Sequence, residues 1–135
     1  MKASVQEMIK SQMEKSAQKL GAAKSLQQAG YVDDAISRAY YSMFHAASAA
    51  LLSEDITVES HAALKTMFGL HFIKTGKIAR KYGRWLNKVK DARENGDYDI
   101  FTGFEESDAR ESVEQAESFL EELKRFLKAS HSDLF

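Results

Sequence analysis

The chain has 135 residues, 44% of them hydrophobic, and a formal net charge of −1. That is the size of one domain with a core of its own and too small for two. It contains no cysteine and no proline, which excludes a disulfide framework, a thiolate metal site and a cysteine nucleophile, and leaves nothing to interrupt a helix from within.

The first helix is predicted from about Ser4 to Ala29. Val5, Met8, Ile9, Met13, Leu20 and Ala23 recur at helical spacing, and Gly30 follows as a left-handed stop. The second begins near Val32 or Asp33 and continues to about Leu52. Asp33 and Asp34 suit its positive end, and Val32, Ala35, Ile36, Ala39, Met43, Ala46, Ala47 and Ala50 line one broad face. Tyr40, Phe44 and Leu51 widen that face, so this helix is expected at the centre of the fold or at a subunit interface.

Ser60 is placed to cap a third helix that runs to about Lys74 and buries Leu64, Met67, Phe68 and Phe72, before a stop at Thr75-Gly76. A fourth follows from about Lys77 to Glu94, with Ile78, Tyr82, Trp85, Leu86 and Val89 inward and Lys77, Lys81, Arg84 and Lys88 outward. Asn95-Gly96 ends it. Ser107 is the expected cap of a fifth helix whose core stripe is Val113, Ala116, Phe119, Leu120, Leu123 and Leu127. On its surface Glu121 is placed to pair with Lys124 or Arg125. Residues 130–135 are expected as a loose tail on a single domain of residues 1–129.

No segment alternates with a strand's period, and the connections are short. The pattern predicts an all-α fold, an up-and-down antiparallel bundle of four to five helices. The most apolar run, Ala46 to Leu52, is far below the ~20 residues that cross a bilayer. Met1-Lys2-Ala3-Ser4 leads into a polar pattern, so a cytoplasmic protein without membrane contact is expected.

Charge is unevenly spread. Lys74 to Arg93 carries eight basic residues and one acid, whereas Glu105 to Glu122 carries eight acids and one base. Either two neighbouring helices complement each other, or a basic strip attracts phosphates while the acidic helix limits non-specific binding. No zinc-type spacing includes His61 or His71, no glycine-rich phosphate loop is present, and no metal or cofactor is expected.

The second helix carries a polar line, Asp34, Arg38, Tyr41, His45 and Ser48, along an otherwise apolar surface. Arg38 and His45 are seven positions apart and point within ~20° of each other. One reading is a polar seam satisfied inside the bundle, with Asp34 pairing Arg38 one turn away. The other is phosphodiester chemistry, in which histidine exchanges a proton with a ribose 2′-hydroxyl and arginine offsets phosphate charge. RNA is then the natural substrate, because its 2′-hydroxyl is an internal nucleophile. The two residues are ~10.5 Å apart along the axis, and Arg38 leans toward the helix N-terminus, away from His45. Two copies of this helix packed about a two-fold axis would bring Arg38 of one to His45 of the other.

The run Ser37-Arg38-Ala39-Tyr40-Tyr41-Ser42-Met43-Phe44-His45-Ala46-Ala47 resembles the HEPN superfamily, in particular its small stand-alone bacterial and archaeal branch. Ser60-His61, Phe72-Ile73-Lys74-Thr75-Gly76 and Arg93-Glu94-Asn95-Gly96-Asp97-Tyr98 join it in the same order. The resemblance implies a helical bundle that dimerises through its motif-bearing helices. In active members an Arg and a His with four to six residues between them belong to a metal-independent endoribonuclease, and Arg38 and His45 have six between them. Many such proteins are encoded beside a minimal nucleotidyltransferase (MNT) and act with it as toxin and antitoxin. Active toxins often carry a polar residue where Ala39 stands here.

Two functions follow from these residues. In the first, a ribonuclease toxin uses His45 as acid or base and Arg38 as phosphate ligand, while Lys77, Lys81, Arg84 and Lys88 guide RNA. In the second, a non-catalytic module holds a nucleotide or a nucleotidyltransferase, and Arg38, Arg93 and Asp97 bind it or organise the interface. Tyr41 counts with the candidate substrate or nucleotide contacts. Arg93, Asp97 and Tyr98 also have a purely structural reading, an ion pair and a ring closing the fourth helix.

Overall fold

In the computed structural model, residues 2–88 and 103–132 are described, and their regular elements are helical throughout. Helix α1 (Ala3–Gln28) is built from residues that lose little side-chain freedom in a helix. It ends as its glycine signal predicts: Gly30 takes φ 87°, and the Tyr31 amide donates to the Leu26 carbonyl at 2.9 Å. Helix α2 (Val32–Ser53) starts immediately, with Asp33 and Asp34 in its first turn.

Helix α3 (His61–Phe68) is capped by Ser60, whose Oγ accepts from the Ala63 amide at 3.0 Å. It continues as a π-helical turn, Gly69–Ile73, that keeps Phe72 in the core beside Phe68. Helix α4, among the described residues, covers residues 80–88. Helix α5 (Glu106–Ser130) closes the chain.

Four local expectations are corrected. Lys77 stands before α4 instead of in it, because the chain turns at Gly76 (φ 78°) and the Ile78 amide donates back to the Phe72 carbonyl. Glu105 caps α5 in place of Ser107: its carboxylate and that of Asp108 form a reciprocal capping box, satisfying two amides where Ser107 would satisfy one. Arg125 pairs with Glu122, one turn back at i−3, and not with Glu121. Residue 130 belongs to α5 and not to a tail.

The inter-helix contacts give the directions. Gln12 meets His45 and Ser16 meets Ser42, so α1 and α2 run antiparallel. Lys88 meets Glu111 and Tyr82 meets Phe119, so α4 and α5 do as well. Segment 54–60 turns back along α2, with Ile56 and Val58 lining the same groove as Phe44 and Leu52. His61 is thereby carried back to the level of Tyr40 and Phe44.

Helix α2 is the centre. Every residue from Ala46 to Ser53 is buried, and Ala35, Ala39, Ala46, Ala47, Ala49 and Ala50 are wholly so. Such small side chains let neighbouring helices approach closely. The larger volume is supplied opposite them by Phe68, Phe72 and Phe119, whose rings lie 5.4 and 5.6 Å apart. After its first two residues, Val32 and Asp33, only one stripe of α2 reaches solvent: Asp34, Ser37, Arg38, Tyr41, Phe44 and His45. It contains four of the five polar residues singled out from spacing, and the fifth, Ser48, is buried.

Candidate functional site

His45 is half-buried where the open stripe of α2 closes against α1. Its Nδ1 lies 2.7 Å from the Gln12 Oε1, and the Phe44 ring meets it edge-on at 5.5 Å. Three residues earlier on α2, the Ser42 hydroxyl donates to the Ser16 carbonyl at 2.9 Å while the Ser16 hydroxyl donates to the Ser42 carbonyl at 2.7 Å. Both serines are fully buried. This reciprocal clamp sets the register that brings Gln12 to His45.

The environment favours the neutral imidazole. Burial lowers the His45 pKa most, and the positive charges of Lys15 and Lys19 lower it further. The amide oxygen placed against Nδ1 accepts only, and Nε2 has no hydrogen-bond partner among the described residues. With its pKa lowered, such a ring stays unprotonated near neutral pH, the state a general base requires.

Arg38 is exposed, and among the described residues it has neither a hydrogen bond nor an ion pair. The expected pairing with Asp34 is not formed. Both groups stand in water, where an i,i+4 pair contributes only about 0.3–0.5 kcal/mol and competes with hydration. The guanidinium is left available to an incoming anion.

Tyr41 is half-buried in an aromatic cluster, 5.4 Å from Tyr40 and 6.3 Å from His61 between ring centroids. Tyr40, fully buried, stacks on His61 and shares a hydrogen bond with its Nδ1. His61 therefore serves the packing of the α3 start against α2.

The basic strip has other partners. Lys77 bridges Glu54 at 2.8 Å and Lys88 bridges Glu111 at 2.7 Å, the charge complementarity of neighbouring elements. Lys81 lies over the Tyr82 and Trp85 rings at 5.2 and 5.4 Å, and Arg84 is exposed. Lys88 lines a cavity with Ile36, which is about 200° around α2 from Arg38, so Lys88 lies on the far side of that helix from the site. Arg93 and Asp97 lie outside the described residues.

The positive charge beside His45 comes instead from Lys15 and Lys19. These two and Gln12 escaped the sequence reading because polar residues at three- and four-residue steps on a helix look like any solvated face. Beyond them, Met8 is 49% exposed and borders an apolar groove of about 210 Å³ formed with Phe44, Leu52, Ile56 and Val58. Among the described residues no three His, Asp or Glu side chains gather as a metal site, and no helix is long and apolar enough to cross a membrane.

Comparison with known proteins shows the family of the chain. The family model described as "HEPN domain" matches residues 9–126. The chain is 36% identical over 124 residues to "Putative toxin MJ0605" of Methanocaldococcus jannaschii, covering 92% of each chain. It is 30% identical over 115 residues to "Putative toxin MJ0142" of the same organism, covering 85% of this chain and 78% of that one. A "UPF0332 protein" of Thermotoga maritima is 31% identical over 94 residues, or 70% of this chain and 71% of the relative.

Proposed function

This chain belongs to the HEPN domain family, and on that premise we propose that it is a metal-independent endoribonuclease acting as the toxin of a toxin–antitoxin pair. The observation that carries the reading is the setting of His45: a half-buried histidine, disfavoured as a cation, with Nδ1 against Gln12 and Nε2 without a hydrogen-bond partner among the described residues. The toxin names of two relatives support the physiological half of the reading.

In the reaction, His45 Nε2 takes the proton of a ribose 2′-hydroxyl. The 2′-oxygen bonds to phosphorus, the phosphorus–O5′ bond breaks, and the departing O5′ takes up a proton. The products are a 2′,3′-cyclic phosphate and a 5′-hydroxyl. Arg38 binds the phosphate and offsets the charge that develops on its oxygens, while Lys15 and Lys19 add a positive field along the approach.

One subunit does not hold both groups on one phosphate, since the axial distance is ~10.5 Å and Arg38 leans the other way. The working unit is a homodimer in which α2 packs against its copy and the site is composite. The antitoxin partner is an MNT-type nucleotidyltransferase.

The test is incubation of the purified protein with single-stranded RNA in excess chelator. Cleavage with cyclic phosphate ends is expected. His45→Ala should lower the rate at least 100-fold with an unchanged circular dichroism spectrum, and Arg38→Ala should lower it at least 10-fold. Equal cleavage by His45→Ala overturns the mechanism. Tight binding of a nucleotide or of the nucleotidyltransferase, with no RNA turnover, replaces it with the non-catalytic reading. Mixing inactive Arg38→Ala and His45→Ala subunits should restore part of the activity, because a mixed dimer contains one intact composite site.

A further inference from the structure

The endoribonuclease reading needs only a histidine and an arginine, yet the structure surrounds the histidine with a more particular arrangement. Gln12 is the residue whose side chain touches the His45 ring through a polar atom. It projects from α1, so the contact spans two helices, and the Ser16–Ser42 clamp one turn along holds those helices in register. From this geometry we propose that Gln12 is a positioning residue, which holds His45 as the Nδ1–H tautomer so that Nε2 alone is offered to substrate.

The choice of an amide follows from charge. A free histidine side chain prefers the proton on Nε2, the tautomer that would leave no lone pair on the nitrogen away from Gln12. A carboxylate at position 12 would also fix Nδ1–H, but it would stabilise the imidazolium and leave the ring protonated near neutral pH. The amide oxygen orients the ring without adding charge. The other groups facing the ring work in the same direction: Lys15 and Lys19 from α1 are cationic, and Phe44 from α2 is apolar. The aromatic cluster at the α3 start, with His61, packs behind Phe44.

This inference rests on the endoribonuclease reading for its purpose but not for its test. Nitrogen-15 spectra of the histidine rings in the full-length protein, above the His45 pKa, should show a protonated Nδ1 and an unprotonated Nε2. Gln12→Met, similar in length and without an acceptor oxygen, should shift the ring toward Nε2–H. Gln12→Glu should keep Nδ1–H but raise the His45 pKa, moving the acid limb of the kcat/KM profile to higher pH. In RNA cleavage, Gln12→Met should lower kcat about tenfold with KM changed less than twofold.

A wild-type ring protonated on Nε2, or a tautomer unchanged in Gln12→Met, overturns the assignment. Should no variant or wild-type sample cut RNA, the endoribonuclease reading fails. The ring spectra still decide whether Gln12 sets the tautomer.

Discussion

Removing the two buried hydroxyls that clamp α1 to α2 should destabilise the protein by a predictable amount. Ser16 and Ser42 exchange two hydrogen bonds of 2.7 and 2.9 Å, and their hydroxyl oxygens lie 3.2 Å apart. The accepting carbonyls lie within α1 and α2 and keep their own helical partners, so Ser→Ala leaves no orphaned acceptor. The loss is therefore the net value of each bond, about 1 kcal/mol, and not the larger penalty of a stranded polar group. Ser16→Ala and Ser42→Ala should each cost about 1 kcal/mol, and the double variant about 2. With an unfolding entropy of about 2.1 cal/mol/K per residue, each kcal/mol should lower Tm by roughly 3–4 °C. Urea denaturation followed by circular dichroism measures the cost directly, with unchanged m-values expected. A double variant within about 0.5 kcal/mol of wild type would refute the clamp, since two net hydrogen bonds sum to about four times that.

The remaining predictions concern charge and core. The folded His45 has its pKa lowered, so the unfolded chain binds more protons; stability from this group is complete above the ordinary value of about 6.5 and declines as pH falls below it. His45→Gln should flatten that decline in denaturation curves measured between about pH 5 and 7. Lys15→Ala with Lys19→Ala should raise the His45 pKa, and because burial is the larger cause, the value should stay below an exposed histidine's in a proton NMR titration. Phe119→Ala removes a fully buried ring packed on Phe68 and Tyr82 and should cost about 3–5 kcal/mol, a large part of the about 5–15 kcal/mol a domain has. Lys77→Ala breaks only the exposed pair with Glu54 and should change stability by less than about 1 kcal/mol.

Much of this fold is readable from apolar periodicity. The α5 stripe from Val113 to Leu127 is buried at every position named, and so is the α2 face from Ala35 to Ala50. Local patterns are less secure where two chemistries compete for one role. Glu105 and Ser107 can both cap a helix, and the reciprocal bond to Asp108 decides for Glu105. Lys77 fits a helical face by spacing, but the turn at Gly76 removes it. In the site, Arg38 and His45 are visible because they interrupt an apolar surface. Gln12, Lys15 and Lys19 are invisible because they lie on an ordinary polar face, and only the packing of α1 on α2 gives them a neighbour. Sequence spacing describes one helix at a time, whereas the His45 environment is a property of two.

On the proposed reading, that two-helix environment also accounts for the different roles of Arg38 and His45 despite their shared stripe. From Ala46 onward α2 is enclosed on all sides, and His45 occupies the last partly open position before it. Partial burial there disfavours the charged ring, which suits a group that must accept a proton. Arg38 lies about two turns earlier, where the stripe is open and a hydrated, always-charged guanidinium carries no such penalty. The same helix thus grades from solvent to core, and each residue type stands where its working charge state is favoured. On the same reading, the axial separation that this gradient requires keeps one subunit from bringing both groups to one phosphate. A protein with Arg38 moved one turn closer, by Ser42→Arg, would place a guanidinium in the buried clamp and should fail to fold. On the proposed reading, a second copy of α2 is therefore the available route for bringing both groups to one phosphate.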